Sequence, residues 1–247
     1  MSDATLVELF SSIQGEGPYV GRRQLFLRFH GCNLECSYCD TVQPSPPTRC
    51  RVETAPGSAL FRELPNPLSL ATVAGIFTDW DDRFPGLHHS ISITGGEPLL
   101  HPELLARWLP LLREIRPIYL ESNGTLPGPL GAVIDHLDFV SMDIKLPSAT
   151  GLPPFWETHR KFLEVAVGKD LFVKVVLAPE SSLEEIDLLC GIIHDVDSCI
   201  PLILQPVTRS GRPAVSAQQL LRFQERGSRL LADVRVIPQT HVFLDLL

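Results

Sequence analysis

Residues 24–41 read QLFLRFHGCNLECSYCDT. An apolar run over 24–30 stops at Gly31 and opens into a loop that carries Cys32, Cys36 and Cys39. Short continuous apolar runs of this kind suit parallel strands buried on both faces better than strands with one wet face. The same unit recurs along the chain, with further strands expected at 90–94, 118–121, 139–143, 171–176, 202–205 and 234–237. Helical spacing fills most of the intervals, at 69–80, 102–114, 130–136, 182–195 and 216–231, and more weakly at 154–167. Ser182, followed three residues on by Glu185, forms a capping-box pattern at one helix start. Alternating strands and helices imply right-handed crossovers and an α/β fold with a parallel sheet.

One segment breaks the rhythm. Between 42 and 67 stand Pro44, Pro46, Pro47, Pro56, Pro65 and Pro67 with little periodicity, which predicts an irregular loop insertion within a single domain spanning 1–247.

The composition, 44% hydrophobic and 20% charged, is that of an ordinary globular protein. A formal net charge of −8 gives no general attraction to nucleic acid or anionic lipid, so neither is an expected partner. Asp3 and Glu8 lie among the first apolar residues, unlike a secretory leader, and no apolar run reaches the roughly 18 residues of a membrane span. A cytoplasmic location follows as an expectation. There the six cysteines are not read as disulfides, and the scattered Cys50, Cys190 and Cys199 are expected to be small buried hydrophobes.

Polar residues gather where the strands end. Gly31 and the cysteine loop follow the first strand; Thr94-Gly95-Gly96-Glu97-Pro98 and Glu121-Ser122-Asn123-Gly124-Thr125 follow the next two. Ser141, Asp143 and Lys145 come with the fourth, Gln205-Pro206 with the sixth, and Gln239-Thr240-His241 with the last. Carboxyl ends of parallel strands open on one face, so these groups should converge. Any one of them could be turn chemistry alone, since Gly, Asn, Ser and Thr favour such turns. Three thiolates on one short loop can hold three corners of a cubane iron–sulfur cluster, leaving one iron open to an outside ligand. The alternative is a structural zinc completed by His30 or Asp40.

The C-x3-C-x2-C loop together with a strand-end TGGEP resembles the radical S-adenosylmethionine superfamily. Within it, the words FSSIQGEG at 10–17, FLRFHGCNL at 26–34, CDT at 39–41 and PQTH at 238–241 are similar to the 7-carboxy-7-deazaguanine synthase family. The likeness is dense over the first 41 residues, good at the strand ends to 145, and weak over 42–89. It implies a radical SAM partial (β/α) barrel with a 4Fe-4S cluster on Cys32, Cys36 and Cys39. It also implies S-adenosylmethionine (SAM) and Mg2+ as further cofactors, a flavodoxin or ferredoxin as electron donor, and a homodimer. The implied reaction is a radical ring contraction of 6-carboxy-5,6,7,8-tetrahydropterin, with loss of ammonia.

For SAM the resemblance implies contacts from Tyr38, Cys39, Asp40, Gly96, Glu97, Ser122, Asp143, Lys145 and Gln205. Glycine at 95 and 96 would allow close approach, and Glu97 would meet the ammonium group. Thr41 would supply a hydroxyl to Mg2+. The substrate side comprises Ile13, Gln14, Gly15, Glu16, Arg28, Thr94, His241 and Leu247. Arg28 offers a guanidinium to the substrate carboxylate, unless it forms only a strand-end ion pair. Gln14 and Glu16 can match the hydrogen-bonding edge of a pterin. The apolar tail 241–247 is expected to pack inward and bring the Leu247 carboxylate to the site opening. A glycyl-radical activating enzyme shares the cysteine, TGGEP and D-x-K elements, but the IQGEG and CDT words speak against it. A non-catalytic zinc or iron–sulfur protein is a further alternative.

Overall fold

The computed structural model describes residues 3–39, 41 and 45–246. Among the described residues twelve strands are formed: β1 (Leu6–Ile13), β2 (Arg23–Phe29), β3 (Arg49–Glu53), β4 (Phe61–Pro65), β5 (Ser90–Gly95), β6 (Ile118–Ser122), β7 (Phe139–Ile144), β8 (Asp170–Leu177), β9 (Leu202–Pro206), β10 (Thr208–Arg209), β11 (Arg212–Pro213) and β12 (Val234–Val236). Eight helices accompany them: α1 (Leu70–Arg83), α2 (Pro102–Arg113), α3 (Pro127–Gly131), α4 (Pro147–Thr150), α5 (Trp156–Ala166), α6 (Leu183–Asp197), α7 (Ala217–Gly227) and α8 (Thr240–Phe243). Ten strands make one sheet in the order β12-β9-β8-β7-β6-β5-β2-β1-β3-β4. The seven from β2 through β12 in that sheet are mutually parallel, as their apolar runs require. The ends of the sheet do not pair with each other, so the barrel is open.

Three features depart from the sequence reading. No strand is expected before residue 24, yet β1 runs antiparallel to β2. It lacks a continuous apolar run because Glu8, Ser11 and Ser12 interrupt it; Glu8 pairs with the half-buried Arg28, and the Ser11 N–H bonds the buried Glu53 carboxylate. The 42–67 segment is not an irregular loop: β3 adds in parallel to β1, and β4 returns antiparallel to β3, extending the sheet edge. The helix expected at 130–136 breaks into α3 and a 3-10 turn over Ile134–His136, in a stretch rich in Pro and Gly. The other helices hold. The Ser182–Glu185 capping box is formed in both directions, and Ser69 and Ser216 each accept a backbone hydrogen bond at their helix starts.

The helices bury one stripe each against the sheet. Phe77, Trp108, Leu109, Phe162 and Ile193 are almost wholly excluded from water, each contributing about 1.5–3 kcal/mol of burial. Inside the barrel, the amino-terminal mouth is filled by aromatics. Tyr19, in the 3-10 turn Gly17–Tyr19, lies edge-on to Phe139 and Tyr119 and donates its hydroxyl to Asp170. Gly17 has φ +67°, and a Cβ there would stand 2.6 Å from the Phe172 ring, so only glycine seats this plug. The opening therefore lies at the carboxyl ends of the strands. No helix among the described residues is long and apolar enough to cross a membrane.

Candidate active site

A cavity of about 770 Å³ occupies the carboxyl-end face, a volume typical of small-molecule sites. Its wall includes Cys32, Cys36 and Cys39 together with residues from β1, β2, β5, β6, β7, β8 and β9.

The cysteine loop is anchored from below. Ser37 bonds the carbonyls of Thr150 and Ala149 through its N–H and hydroxyl, and the Cys39 N–H reaches the Cys36 carbonyl at 3.1 Å. Cys32 Sγ accepts from the Leu34 N–H and from Asn123 Nδ2. Burial pushes the Cys36 thiol up, opposed by the Lys145 ammonium. Cys32 and Cys39 are exposed. Among the described residues, no three of His, Cys, Asp and Glu converge tightly enough to hold one ion. Three thiols on one short loop of the cavity wall suit a cubane cluster, which places a different iron on each thiolate. Two buried polar atoms of cavity-lining residues, Gln205 Oε1 and Thr208 Oγ1, have no hydrogen-bond partner in the protein, as expected where a polar ligand completes the site.

The glycine pair acts on the protein itself. A Cβ on Gly95, whose φ is +135°, would lie 2.2 Å from the Phe29 carbonyl oxygen, and one on Gly96 would lie 2.0 Å from that of Gly31. The end of β5 thus rests directly on the stem of the cysteine loop, with Glu97 N–H bonded to the Gly31 carbonyl at 2.8 Å. Gly96 still lines the cavity. Glu97 does not face it as the sequence reading expects. Its carboxylate is wholly buried and accepts from the N–H groups of Leu99 and Asn123 and from the Ser122 hydroxyl. Burial pushes its carboxyl up to about 7 against those donors. It organises the Ser122–Asn123 turn rather than presenting a free carboxylate.

Charged residues run through the cavity from the cysteine loop. Tyr38 Oη accepts from Lys145 Nζ at 3.2 Å, Lys145 pairs with Asp143 at 2.7 Å, and Asp143 lies 3.3 Å from Lys174, which in turn pairs with Glu16. Burial alone would raise Glu16, but the Lys174 ammonium, with help from His241 and Gln205, holds its carboxyl down to about 2. Burial likewise disfavours the Lys174 and Lys145 ammonium groups, yet neighbouring carboxylates carry both above the usual lysine value. Gln205 and Gln239 donate to the other oxygen of Glu16. Gln205, expected among the SAM contacts, therefore sits at the Glu16 end.

Gln14 is locked by three bonds: its amide nitrogen donates to Gln24 and Glu121, and its oxygen accepts the Glu16 N–H. Thr94 donates to Glu121 at 2.8 Å. Arg28 uses Nε for Glu8 at 2.8 Å, Arg51 approaches the other Glu8 oxygen at 3.4 Å, and Arg28 lies over the Phe10 ring. Ile13, Gly15, Thr41 and His241 all line the same cavity. A Cβ on Gly15 would collide with His241, and the Thr240 N–H bonds the Gly15 carbonyl, so α8 docks on that turn. The tail does not pack inward as a whole: Phe243, Leu244 and Leu246 are exposed, and only His241 and Val242 reach the cavity wall. Asp40 and Leu247 lie outside the described residues.

Sequence reasoning gave no site role to Glu8, Arg51 or Lys174, and named Glu121 and Asn123 only within the strand-end group. The available signal for Lys174 is its charge inside an apolar run, at an alternate position of a strand whose fellows Phe172 and Val176 face the barrel interior. Cys50 and Cys190 are buried as expected, but Cys199 is exposed.

Comparison with known proteins follows the same lines. Residues 26–169 match the family model described as Radical SAM superfamily. A 7-carboxy-7-deazaguanine synthase of Geobacter sulfurreducens is 50% identical over 242 residues, covering 98% of this chain and 97% of that protein. One of Methanothermobacter thermautotrophicus is 36% identical, with 98% of each chain covered. The crystal structure of QueE from Escherichia coli superposes with a TM-score of 0.56 at 21% identity, over 97% of this chain and 95% of that one.

Proposed function

The chain belongs to the 7-carboxy-7-deazaguanine synthase family of the radical SAM superfamily, and from that premise we propose how its cavity divides between cofactor and substrate. When bound, the reduced 4Fe-4S cluster and SAM supply the radical that abstracts hydrogen from 6-carboxy-5,6,7,8-tetrahydropterin, whose ring then contracts with loss of ammonia. The observation that carries the division is that the three thiols and Gln14, Glu16 and Arg28 line one cavity, with the Lys145–Asp143–Lys174–Glu16 ion pairs running through it.

Cys32, Cys36 and Cys39 hold the cluster. Gly96, Ser122, Tyr38, Cys39, Asp40, Asp143 and Lys145 bind SAM, and Gln205 bridges towards the substrate through its unpartnered oxygen. Gln14, Glu16 and the backbone of Ile13 and Gly15 read the pterin edge, with Thr94 and His241 beside them. Arg28, its Nε held by Glu8, turns its terminal nitrogens to the substrate carboxylate. Thr41 gives its hydroxyl to Mg2+. The chain acts as a single domain in the cytoplasm, as a homodimer supplied with electrons by a flavodoxin or ferredoxin.

Anaerobic incubation of the reconstituted, reduced protein with SAM and the carboxypterin tests the reading. Mass analysis should show 7-carboxy-7-deazaguanine with SAM left unconsumed. Cleavage of SAM without conversion of the pterin would overturn the substrate assignment.

A further inference from the structure

Lys174 stands at the centre of β8, in the run Leu171-Phe172-Val173-Lys174-Val175-Val176-Leu177. Its Cα partner across the β7–β8 ladder is Asp143, so the two side chains share the interior face of the barrel. The ammonium meets Asp143 at 3.3 Å and Glu16 on its other side, and the residue as a whole is 8% exposed. Placing a lysine there is costly. Two charges taken out of water are repaid only by good mutual geometry, and apolar replacements of buried ion pairs are often neutral or stabilising. Stability of the barrel is therefore no reason for a charged run in its middle. The two carboxylates it touches have different duties, because Glu16 belongs to the pterin end and Asp143, through Lys145 and Tyr38, to the cysteine-loop end.

We infer that Lys174 is a positioning residue shared by the two subsites, holding Glu16 in place for the pterin and Asp143 in place for SAM. The inference rests on the substrate assignment above. One ammonium fixes both carboxylates, so its loss frees each to turn and leaves two anions without a common counter-charge. Neither ligand needs to touch Lys174 for both to feel its removal. Glu121, Lys145 and His241 are the other charged or titratable groups around it, and none of them replaces a cation lying between Glu16 and Asp143.

The test is calorimetric binding of SAM and of the carboxypterin, measured separately and anaerobically on cluster-loaded protein. Lys174→Met should weaken each ligand about tenfold or more, as truncating one member of a buried charge pair does, while iron content stays at the wild-type level. Glu16→Gln should weaken the pterin and spare SAM; Asp143→Asn should do the reverse. In the Lys174→Met/Glu16→Gln protein the loss of pterin affinity should fall well short of the sum of the two single losses, whereas a lysine that merely supports the scaffold would give additive losses. Lys174→Gln, which keeps a donor in the slot, serves for the same cycle should Lys174→Met fail to fold. Additive losses, or unchanged affinity for either ligand in the Lys174 variant, would overturn the inference. Failure of the wild-type protein to bind the carboxypterin overturns the substrate assignment instead, and leaves the SAM measurements on Lys174 and Asp143 standing.

Discussion

Cys32 and Cys39 stand exposed on a loop that is tied down by its backbone, by Ser37, by Asn123 on Cys32 and Asn33, and by Lys145 on Tyr38. Glu16, Asp143 and Lys174, in the same cavity, are largely buried and held by strands or by several side chains at once. The difference follows from the chemistry each part performs. A thiolate bonds its metal strongly and can be drawn into place by it, so a loop suffices. Recognition by hydrogen bonds has no such force to spare, and its groups need to be held in position before the ligand arrives.

The sharpest way to break this comparison is at the loop. Cys36→Ala should abolish both cluster loading and 5′-deoxyadenosine formation while leaving the sheet folded, because Cys36 carries none of the ladder bonds. Iron analysis and far-ultraviolet dichroism read the two outcomes. A variant with a full cluster and normal SAM cleavage would remove the loop from the chemistry.

A smaller effect is expected at the other end. Arg28→Ala should cost roughly 2–4 kcal/mol in carboxypterin affinity by removing a charge-assisted pair, with SAM affinity unchanged by calorimetry. Glu8 keeps Arg51 as a partner, so the loss should not spread through the fold. A variant that weakens SAM and spares the pterin would reverse the assignment of the two ends.

The pre-formed end should also leave a trace in stability. Glu16 sits at about 2 in the folded protein against an ordinary 4.5, so it stabilises the fold above about pH 4.5 and loses that contribution as pH falls towards 2. The full shift corresponds to about 3 kcal/mol. Urea unfolding of wild type and Glu16→Gln should differ most near neutral pH, with the gap narrowing as pH drops below about 5. A gap independent of pH would mean that Glu16 is not held ionised by Lys174.

How much of this could be read beforehand follows the same division. The cysteine spacing and the glycine pair are short, local words, and the parallel strands announce themselves as continuous apolar runs. Glu8 and Arg51 could not be seen together, because they meet only through the β1–β3 pairing of segments about forty residues apart. The β3–β4 hairpin was hidden by proline: Pro65 ends β4 at the sheet edge, where a missing N–H is tolerated, and Pro56 lies in the turn. The burial of Glu97 could not be read from a carboxylate beside two glycines, because the backbone donors that hold it inward include Asn123, which lies on the next strand's turn, as well as Leu99.

The smallest effects belong to the cysteines outside the loop, and they test whether an exposed thiol is by itself a sign of the cluster. Cys50 on β3 and Cys190 on α6 are buried among apolar side chains, and burial pushes both thiols up to about 12, so they stay protonated. Replacing either with serine puts a hydroxyl into an apolar site and should cost about 1–3 kcal/mol of stability, with no change in iron content. Cys199 differs in kind. It is exposed just beyond α6, and its N–H bonds the Asp197 carboxylate through the backbone, a contact that serine keeps. Cys199→Ser should therefore fall within about 0.5 kcal/mol of wild type and leave iron and turnover unaltered. Exposure alone does not make a thiol a ligand; Cys199 is absent from the cavity wall that Cys32, Cys36 and Cys39 share. Iron lost from the Cys199 variant under the same reconstitution would show that a fourth thiol takes part, and the contrast between loop and scattered cysteines would no longer hold.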